Sequence, residues 1–488
     1  MARGIDDLDE SQVRQAAKLL ERENERLVRR VLELEQTLST VQGRSISQME
    51  LLADLEHMLA VRNKKMFGDS SEKRGTQKAS EEEKKPQTGH GPREQAELAH
   101  VERVHELDDA DKVCTSCGGA LTEMAGQFEE SEEIDTLERQ FVVVHHKRKK
   151  YRCACGGCVE TALGPEKLIP GGRYSIDFAV SVAIAKYADH LPLERQVRVM
   201  KRQGLTVDSQ TLWDQLNALA KWLAPAHEAL HEHVLSQPVI GADETFWRLM
   251  ENGGDNKRWQ TWAIVAPDAV SYRIRDSRSA DAADDVLGAY AGTVLCDGYA
   301  AYESLRKRAG KFQLAHCWAH VRRKFIEAEE VAPGPCAEVL DLIGELYEVE
   351  RGCQSDAERA VARRERSSAL VRQIQSWALR QRALPQSPLG KAIAYMGGLW
   401  TGLQRFIDDP RLALDNNATE RVLRGVVLGR KNHYGSRSER GTEVAALFYS
   451  LIESAKLAGV EPDGYLRTAA RMAIRQQQIR LPHEVAST

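Results

Sequence analysis

The order of strand-like and helix-like segments from residue 238 onward constrains the fold of this chain more than any other feature. Three apolar segments with strand character come first, and an amphipathic helix, a strand, a helix and a final strand follow. The strand segments are PVIGADETFW, RWQTWAIVAP, VSYRIRDS, TVLCDGY and KFQLAHCW. Three strands followed by alternating helix and strand is the order of the ribonuclease-H-like fold. We therefore predict a domain of this fold over residues 237–440, with mixed α+β and α/β character.

The rest of the chain is long enough for further domains. At 488 residues it exceeds one compact core, so roughly two to four domains are expected. Residues 166–236 and 322–408 have helical periodicity, and so has the tail over 441–488. No apolar stretch is long enough to span a membrane, and the first residues lack the apolar core of a signal peptide. We therefore expect a cytoplasmic, multidomain protein with no membrane partner.

The N-terminal segment has a heptad repeat. The first apolar series is Val13, Leu20, Leu27, Leu34 and Val41, and the second seam position holds Ala17, Asn24, Val31 and Leu38. A single Asn in such a seam can fix the register of a two-stranded coiled coil. We predict a coiled coil within residues 1–68 that forms a homodimer or higher oligomer; the alternative is an amphipathic helix packed on its own domain. Residues 69–100 have few apolar side chains, which predicts a flexible linker.

Five of the nine cysteines cluster within residues 101–165. Cys114 and Cys117 precede a glycine pair, and a second group after a strand-like segment consists of Cys153, Cys155 and Cys158. Two such knuckles joined by a hairpin are typical of a zinc ribbon, in which four thiolates bind one structural zinc ion. We predict a zinc-ribbon domain that binds DNA, with four of the five cysteines as ligands. The sequence leaves open which cysteine of the second group is not a ligand, and the alternative is a set of buried or free thiols.

A basic helix, a glycine and a second helix follow within residues 166–236. Residues 193–203 form the first helix, Gly204 ends it, and Asp208 or the serine after it is expected to cap a second helix over 209–223. This is the outline of a helix-turn-helix that binds DNA, although helical pairs that do not touch DNA share it. The exposed basic side chains could contact phosphates or form a solvated face. They are Arg195, Arg198, Lys201 and Arg202.

Three acidic residues lie where such a fold brings strand ends and a late helix together. Asp243 and Asp297 each lie at the end of a predicted strand, and Glu420 lies in an arginine-rich helical segment. Phosphodiester transfer needs two divalent ions that clamp the attacking and leaving oxygens, and Mg²⁺ prefers carboxylate ligands. The three residues form a candidate metal site, although 72 acidic residues supply many strand-end aspartates by chance. Glu244 would point to the opposite face of its strand and is not assigned to the site.

The charge of the chain is unevenly distributed. The net charge is only −4, which by itself argues weakly against a nucleic-acid partner. Residues 421–440, however, contain six basic residues and a single acid, Glu439. Such a local basic surface can bind phosphates while acids elsewhere cancel the total charge. The six are Arg421, Arg424, Arg430, Lys431, Arg437 and Arg440.

Several longer motifs make the chain recognisable. GADET, CDGYAAYE, HCWAHVRRKF and NNATERVLRGVVLGRKN resemble motifs of the insertion sequence 66 family of bacterial DDE transposases. The similarity extends to MFGDSSEK, the cysteine group, DHLPLERQ and LIESAKLAGVEP, and it covers nearly the whole chain. It implies a ribonuclease-H-like catalytic core interrupted by a helical insertion at about 326–408. It also implies that Asp243, Asp297 and Glu420 are an acidic triad that binds two Mg²⁺ or Mn²⁺ ions.

The resemblance further implies a transposase that binds the terminal inverted repeats of an insertion sequence, cuts there and joins the freed end to target DNA. Arg421, Arg424, Arg430 and Lys431 would hold phosphates against the acidic site. Cys317 and His320 are expected to form a packing or DNA-facing element near it. Asn416 and Asn417 are expected to cap the helix of Glu420.

The expected partners are double-stranded DNA, at the element ends and at the target, and at least one further copy of the chain. We expect the protein to associate with the nucleoid. The need for companion proteins of the element is left open. Two alternatives remain. One is a nuclease of the same fold that cuts without strand transfer, and the other is a DNA-binding regulator without catalysis.

Overall fold

The computed structural model describes residues 141–152, 159–250 and 256–486. The predicted coiled coil over 1–68, the linker over 69–100 and all five cysteines of the predicted zinc ribbon lie outside the described residues. From residue 141 to the start of the first helix, the described residues contain one short antiparallel pair. Its strands are β1 (Lys150–Arg152) and β2 (Val159–Thr161).

A five-stranded mixed sheet lies at the centre of the described structure. Its strand order is β5-β4-β3-β6-β7. The first three strands form an antiparallel meander, whereas β6 runs parallel to β3 and β7 runs parallel to β6. The order of strands along the chain is the one predicted from the sequence. The strands are β3 (Val239–Met250), β4 (Asn256–Val265), β5 (Val270–Arg275), β6 (Thr293–Cys296) and β7 (Gln313–His316).

Three helices precede the sheet: α1 (Ile176–Tyr187), α2 (Leu193–Arg202) and α3 (Ser209–Ser236). The predicted turn is present, because Gly204 has φ +83 and Asp208 accepts a hydrogen bond from the Thr211 amide at 2.6 Å. The second helix was predicted to end near residue 223, but it continues through Pro225. The apolar stripe continues with it, since Leu230 and Val234 are fully buried. Burial of this stripe outweighs the backbone hydrogen bond that the proline removes.

Two helices connect the parallel strands, and a helical segment follows the last strand. The connections are α4 (Ala280–Leu287) and α5 (Ala300–Ala309). The segment after β7 consists of α6 (Trp318–Glu329), α7 (Pro333–Arg351), α8 (Asp356–Ala362), a π-helical turn (Arg363–Ser367), α9 (Ser368–Arg380), α10 (Pro388–Gln404) and a 3-10 turn (Arg405–Ile407). It has its own hydrophobic core, which includes Trp318, Phe325 and Trp377. This segment corresponds to the helical region predicted at about 326–408.

The chain then returns to the sheet and ends in helices. These are α11 (Asn417–His433), α12 (Glu439–Leu457), α13 (Pro462–Ile474) and α14 (Pro482–Ala486). One hydrophobic core extends from Leu168 to Leu481 and includes α1, α3, the sheet and α12. The segments predicted as 166–236 and 441–488 therefore share a core with the sheet. Among the described residues, no helix combines the length and the apolar character that a membrane span needs.

Candidate active site

Asp243 and Asp297 occupy equivalent positions on neighbouring parallel strands. The last pair in the ladder between β3 and β6 is Gly241 with Leu295, and the two aspartates lie two residues beyond this pair. The period of two along a strand would place both carboxylates on the same side of the sheet, and the negative charge of Asp297 is one of the causes that raise the pKa of Asp243. Asp297 follows directly after β6, as predicted, and its Oδ1 atom accepts a hydrogen bond from the Tyr299 amide at 2.8 Å.

The predicted position of Asp243 at the end of its strand is wrong in one respect. β3 does not end there but continues to Met250, because it stays paired with β4 as far as Asn256. The parallel partner β6 ends much earlier. Asp243 therefore lies in the middle of a long strand, at the point where its neighbour on one side has ended. The space beyond β6 is what makes this side chain accessible from the edge of the sheet.

Glu420 is brought to this face by the close approach of α11 to β3. A Cβ atom at Gly241 would lie 2.1 Å from Thr419 Oγ1 and 3.1 Å from Asn416 Oδ1, so only glycine permits this contact. The side-chain amide of Asn416 donates a hydrogen bond from Nδ2 to the Ala242 carbonyl at 3.1 Å. Glu420 follows Thr419 in the first turn of α11. The start of this helix is thus fixed to the strand segment that carries Asp243.

The prediction that the Asn416 side chain caps α11 is wrong. Asn416 occupies the N-cap position, but its side chain makes no capping hydrogen bond, because its amide group reaches the Ala242 carbonyl on β3. The Asn417 amide instead donates to Asp415 Oδ1 at 3.1 Å. The Asn416 Oδ1 atom is buried and has no hydrogen-bond partner among the described residues. Asn416 therefore joins two elements, a role that the sequence did not suggest.

The electrostatics of the site agree with this convergence. The pKa of Asp243 is raised from 3.8 to about 7. Burial is the largest cause, and the negative charges of Glu244, Asp297 and Glu420 also contribute to this rise. A hydrogen bond from the Glu244 amide to Asp243 Oδ1, 2.8 Å long, opposes the shift. A carboxyl group whose pKa is raised by burial and by neighbouring negative charges lacks compensating positive charge. Their oxygen donors fit hard divalent cations such as Mg²⁺ or Mn²⁺.

Glu244 lies on the other face of β3, as the alternation predicted. Its Oε1 atom accepts a hydrogen bond from Arg278 Nε at 2.7 Å, and its Oε2 atom accepts one from the Tyr302 hydroxyl at 2.8 Å. The Arg278 guanidinium lies over the Tyr299 ring, 3.7 Å from its centroid. The Tyr299 amide binds Asp297. Glu244 is therefore satisfied by this network, which supports the turn after β6.

Cys317 and His320 lie between β7 and the start of α11. Cys317 is buried, and its backbone amide donates to the Cys296 carbonyl at 3.2 Å. Its sulfur accepts a hydrogen bond from the backbone amide of Asn416 at 3.2 Å. His320 Nε2 lies 3.5 Å from Glu420 Oε1. These contacts agree with the expected packing element near the acidic residues. Cys317 contacts the start of the helix that carries Glu420, and His320 contacts Glu420 itself.

The basic residues of α11 differ in their surroundings. Arg421, Arg424 and Lys431 are exposed, and their spacing of three and seven places them on one face of the helix. None of the three forms an ion pair with a residue that the structure describes. Arg430, in contrast, donates a hydrogen bond to the Phe246 carbonyl and lies over the Phe246 ring. Arg430 therefore fastens α11 to β3, and the predicted phosphate contact gains no support from its surroundings.

The basic side chains of α2 are all exposed. They are Arg195, Arg198, Lys201 and Arg202. The helix is held by Gln196, whose buried amide donates to the Val182 and Leu191 carbonyls at 3.3 Å and 3.0 Å. The basic face of α2 is thus free of core contacts, whereas the apolar stripe of α3 is part of the main core.

Comparison with known proteins agrees with this arrangement. A family model described as "Transposase IS66 family" matches residues 171–444. A second model, described as "zinc-finger binding domain of transposase IS66", matches residues 111–156, a range that ends two residues before Cys158. Together these matches define a transposase with a zinc-finger domain. The chain belongs to the IS66 family of transposases.

Its relatives include two proteins of Sinorhizobium fredii (strain NBRC 101917 / NGR234). "Uncharacterized protein y4jD" is 34% identical over 381 residues, which cover 74% of this chain and 74% of the relative. "Uncharacterized protein y4qI" is 31% identical over 399 residues, which cover 77% of this chain and 73% of the relative. No solved structure matches this chain.

Proposed function

We propose that this protein is a DDE transposase that cuts DNA at the terminal inverted repeats of an insertion sequence and joins the freed ends to target DNA. The observation that carries this proposal is that Asp243 and Asp297 each lie two residues beyond the last pair of the ladder between β3 and β6. The contact between Gly241 and Thr419 adds Glu420 to the same face. Three carboxylates from two adjacent strands and one late helix could hold the pair of divalent ions that catalyses phosphodiester transfer.

The topology of the sheet supports a ribonuclease-H-like core. An antiparallel meander, β3 to β5, is followed by two parallel strands reached through helices, and β3 lies in the centre. The helical segment from α6 to the 3-10 turn, with its own core, separates β7 from α11. We assign this segment as an insertion in the catalytic domain.

Divalent metal ions fit the acidic residues, and Asp243, Asp297 and Glu420 would hold them. When bound, such ions stabilise the charge on the attacking and leaving oxygens of the phosphodiester. The chain itself orients this site: Tyr299 and Gly241 fix the two strand positions, and His320 lies beside Glu420. The raised pKa of Asp243 means that positive charge brought to the site favours its deprotonated, ligand form.

The substrate is double-stranded DNA, which must bring negative phosphates to an acidic cluster. The exposed face of α11 with Arg421, Arg424 and Lys431 begins one residue after Glu420 and supplies compensating charge there. The exposed arginines and lysine of α2 and the zinc-finger domain would contact DNA further from the reacting bond. We propose that the N-terminal heptads join two copies, since two element ends are processed together. The reaction would take place at the nucleoid.

The products of a reaction in solution test this proposal. The full-length chain is incubated with Mg²⁺ or Mn²⁺ and with DNA fragments that carry the two ends flanking its own gene, together with a target plasmid. A transposase yields fragments cut at the element ends and recombinant molecules in which those ends are joined to the plasmid. Reactions with EDTA serve as the control. Cut fragments without joined molecules would indicate a nuclease, and binding without either product would indicate a regulator; both results contradict the proposal.

A further inference from the structure

Three residues outside the acidic site and the cysteine cluster bring possible metal ligands together. His233 lies in the last turn of α3, Asp268 lies in the turn between β4 and β5, and His483 lies in α14. One ligand atom from each lies within 4.8 Å of the others. These positions come from three separate parts of the chain, and the third is close to its C-terminal end. Their convergence is a tertiary feature that neither local sequence nor the family motifs predict.

Two of the three side chains already have a spacing close to that of a coordination sphere. His233 Nε2 lies 3.1 Å from both carboxylate oxygens of Asp268. For zinc with ligands at about 2.0–2.2 Å, tetrahedral coordination separates neighbouring ligand atoms by about 3.3 Å. The rings of His233 and His483 are stacked, with centroids 3.8 Å apart and an angle of 15° between the planes. The spacing of the carboxylate and the first imidazole therefore needs little change to bind an ion.

The donor types select the class of metal. Two imidazoles and one carboxylate suit Zn²⁺ and similar transition-metal ions, whereas Mg²⁺ prefers oxygen ligands alone. Glu484, the neighbour of His483, does not supply another ligand, because its Oε2 atom accepts a hydrogen bond from the Leu481 amide at 2.6 Å. The Asp268 side chain is 42% exposed and that of His233 is 20% exposed. Water can therefore reach the cluster and complete the coordination.

An ion pair between His233 and Asp268 is the simpler alternative. It would use one imidazole and the carboxylate, and it would not need the stacked ring of His483. A protonated His233 would then face His483 at close range, which disfavours a second positive charge there. A divalent cation uses all three side chains at once and neutralises the carboxylate. The presence of both rings beside one carboxylate is what favours the metal over the ion pair.

We propose that His233, Asp268 and His483 form a zinc-type structural site that fastens the C-terminal helix α14 to α3 and to the β4–β5 turn. The site would bind Zn²⁺ or a similar ion in addition to the ion at the cysteines. An ion that binds the folded chain and not the unfolded chain stabilises the folded state by mass action. The site does not depend on the catalytic assignment, since it contains none of the acidic triad.

The number of zinc ions bound per chain tests this site. The full-length chain, stripped of metal, is dialysed against Zn²⁺ in excess Mg²⁺, which occupies carboxylate sites, and its zinc content is measured by elemental analysis. We expect His233→Gln and His483→Gln each to bind one zinc ion fewer than the unsubstituted chain. Glu232→Gln, an exposed neighbour of His233, is the matched control and should bind the full number. The comparison is a difference, so it is independent of how the cysteines behave.

Hydrogen exchange provides a second readout that a loss of folding would not imitate. Zn²⁺ should slow amide exchange in residues 481–486 of the unsubstituted chain, and should not do so in His483→Gln. Asp268→Asn, which keeps the shape of the side chain, should likewise lose the effect of zinc while remaining folded. Equal zinc content in the chain and in both histidine variants, with exchange unaffected by Zn²⁺, would show that the cluster is an ordinary histidine–carboxylate pair.

Discussion

A Cβ atom on Gly241 would lie 2.1 Å from the Oγ1 atom of Thr419. This contact lets α11 approach β3 closely, and Glu420 follows Thr419 at the start of that helix. The glycine in the GADET motif thus acts on the position of a carboxylate far away in the sequence. Glycine inside a strand often marks such an approach of another element. The geometry of the acidic site therefore depends on a residue that carries no functional group.

Replacement of this glycine should reduce activity without removing a ligand. In Gly241→Ala, the added methyl group pushes the start of α11 away from β3 and displaces Glu420. A displacement of about 1 Å at a reacting centre can cost about 100-fold in rate, and we expect a loss of this order in end cleavage. Gly344→Ala in α7 is the matched control, because no atom lies within 4 Å of the added Cβ. Cleavage at the normal rate by Gly241→Ala would show that this contact does not position the site.

The stability of the metal-free protein should depend on pH through Asp243. An unfolded chain releases this proton near the ordinary value of 3.8, but the folded protein retains it until a pH of about 7. The folded state therefore binds more protons between these values, and its free energy of unfolding falls as the pH rises from about 4 to about 7. A shift of about three units corresponds to about 4 kcal/mol. Above pH 7 this contribution stays lost.

The variant Asp243→Asn removes the titrating group and tests this dependence. In EDTA at pH 8 it should be more stable than the unsubstituted protein, and the difference should shrink toward pH 4. Urea unfolding at several pH values measures it. Asp276→Asn, at an exposed position after β5, should follow the unsubstituted protein throughout. Parallel curves for Asp243→Asn and the unsubstituted protein would rule out the raised pKa.

The exposed basic face of α11 should contribute to DNA affinity through phosphate contacts. The logarithm of DNA affinity falls with the logarithm of salt concentration, and the loss of one phosphate contact makes this slope shallower by about 0.9. We therefore expect Arg421→Ala, Arg424→Ala and Lys431→Ala each to weaken binding and to flatten this slope. Arg475→Ala is the control, because its guanidinium already pairs with Glu166 at 2.6 Å. An unchanged slope in a variant that combines all three substitutions would place the DNA elsewhere.

Arg363 should be essential for the stability of the helical segment between β7 and α11. It is fully buried, binds both oxygens of Glu350, and donates to the carbonyls of Phe406, Asp409 and Leu412. Removal of one member of a buried ion pair costs about 3–5 kcal/mol, because the other charge remains without compensation. Arg363→Ala should lose stability of this size, measured by urea unfolding with tryptophan fluorescence. Its exposed neighbour in Arg364→Ala should change stability by less than about 0.5 kcal/mol. Equal midpoints for the two variants would contradict this role.

The sequence predicted those features that depend on local patterns. The strands and helices from β3 to β7 follow alternation and helical periodicity. Gly204 follows the end of α2, and Asp208 caps the start of α3, as predicted. The position of Asp297 directly after β6 and of Glu420 in the first turn of α11 agrees with these patterns, whereas Asp243 lies within β3 and not at its end. Residue types and spacing also indicated the cysteine cluster, which lies outside the described residues.

The features that the sequence did not predict depend on contacts between distant elements. The length of β3 depends on pairing with β4, and α3 passes Pro225 because Leu230 and Val234 still find the core. Asn416 forgoes a cap because the Ala242 carbonyl lies within reach. A sequence pattern indicates which residues are buried, but not which distant element they pack against. For the same reason, Arg363 was indistinguishable in sequence from the arginines around it.

The central claim is that Asp243, Asp297 and Glu420 form one metal-binding catalytic site. The most direct test measures end cleavage and strand transfer by Asp243→Asn, Asp297→Asn and Glu420→Gln, each of which keeps the shape of the side chain. All three should yield no detectable cut or joined DNA while binding the element ends with unchanged affinity, and Asp276→Asn should react normally. Strand transfer at the normal rate by any one of the three would remove that residue from the site and contradict the account.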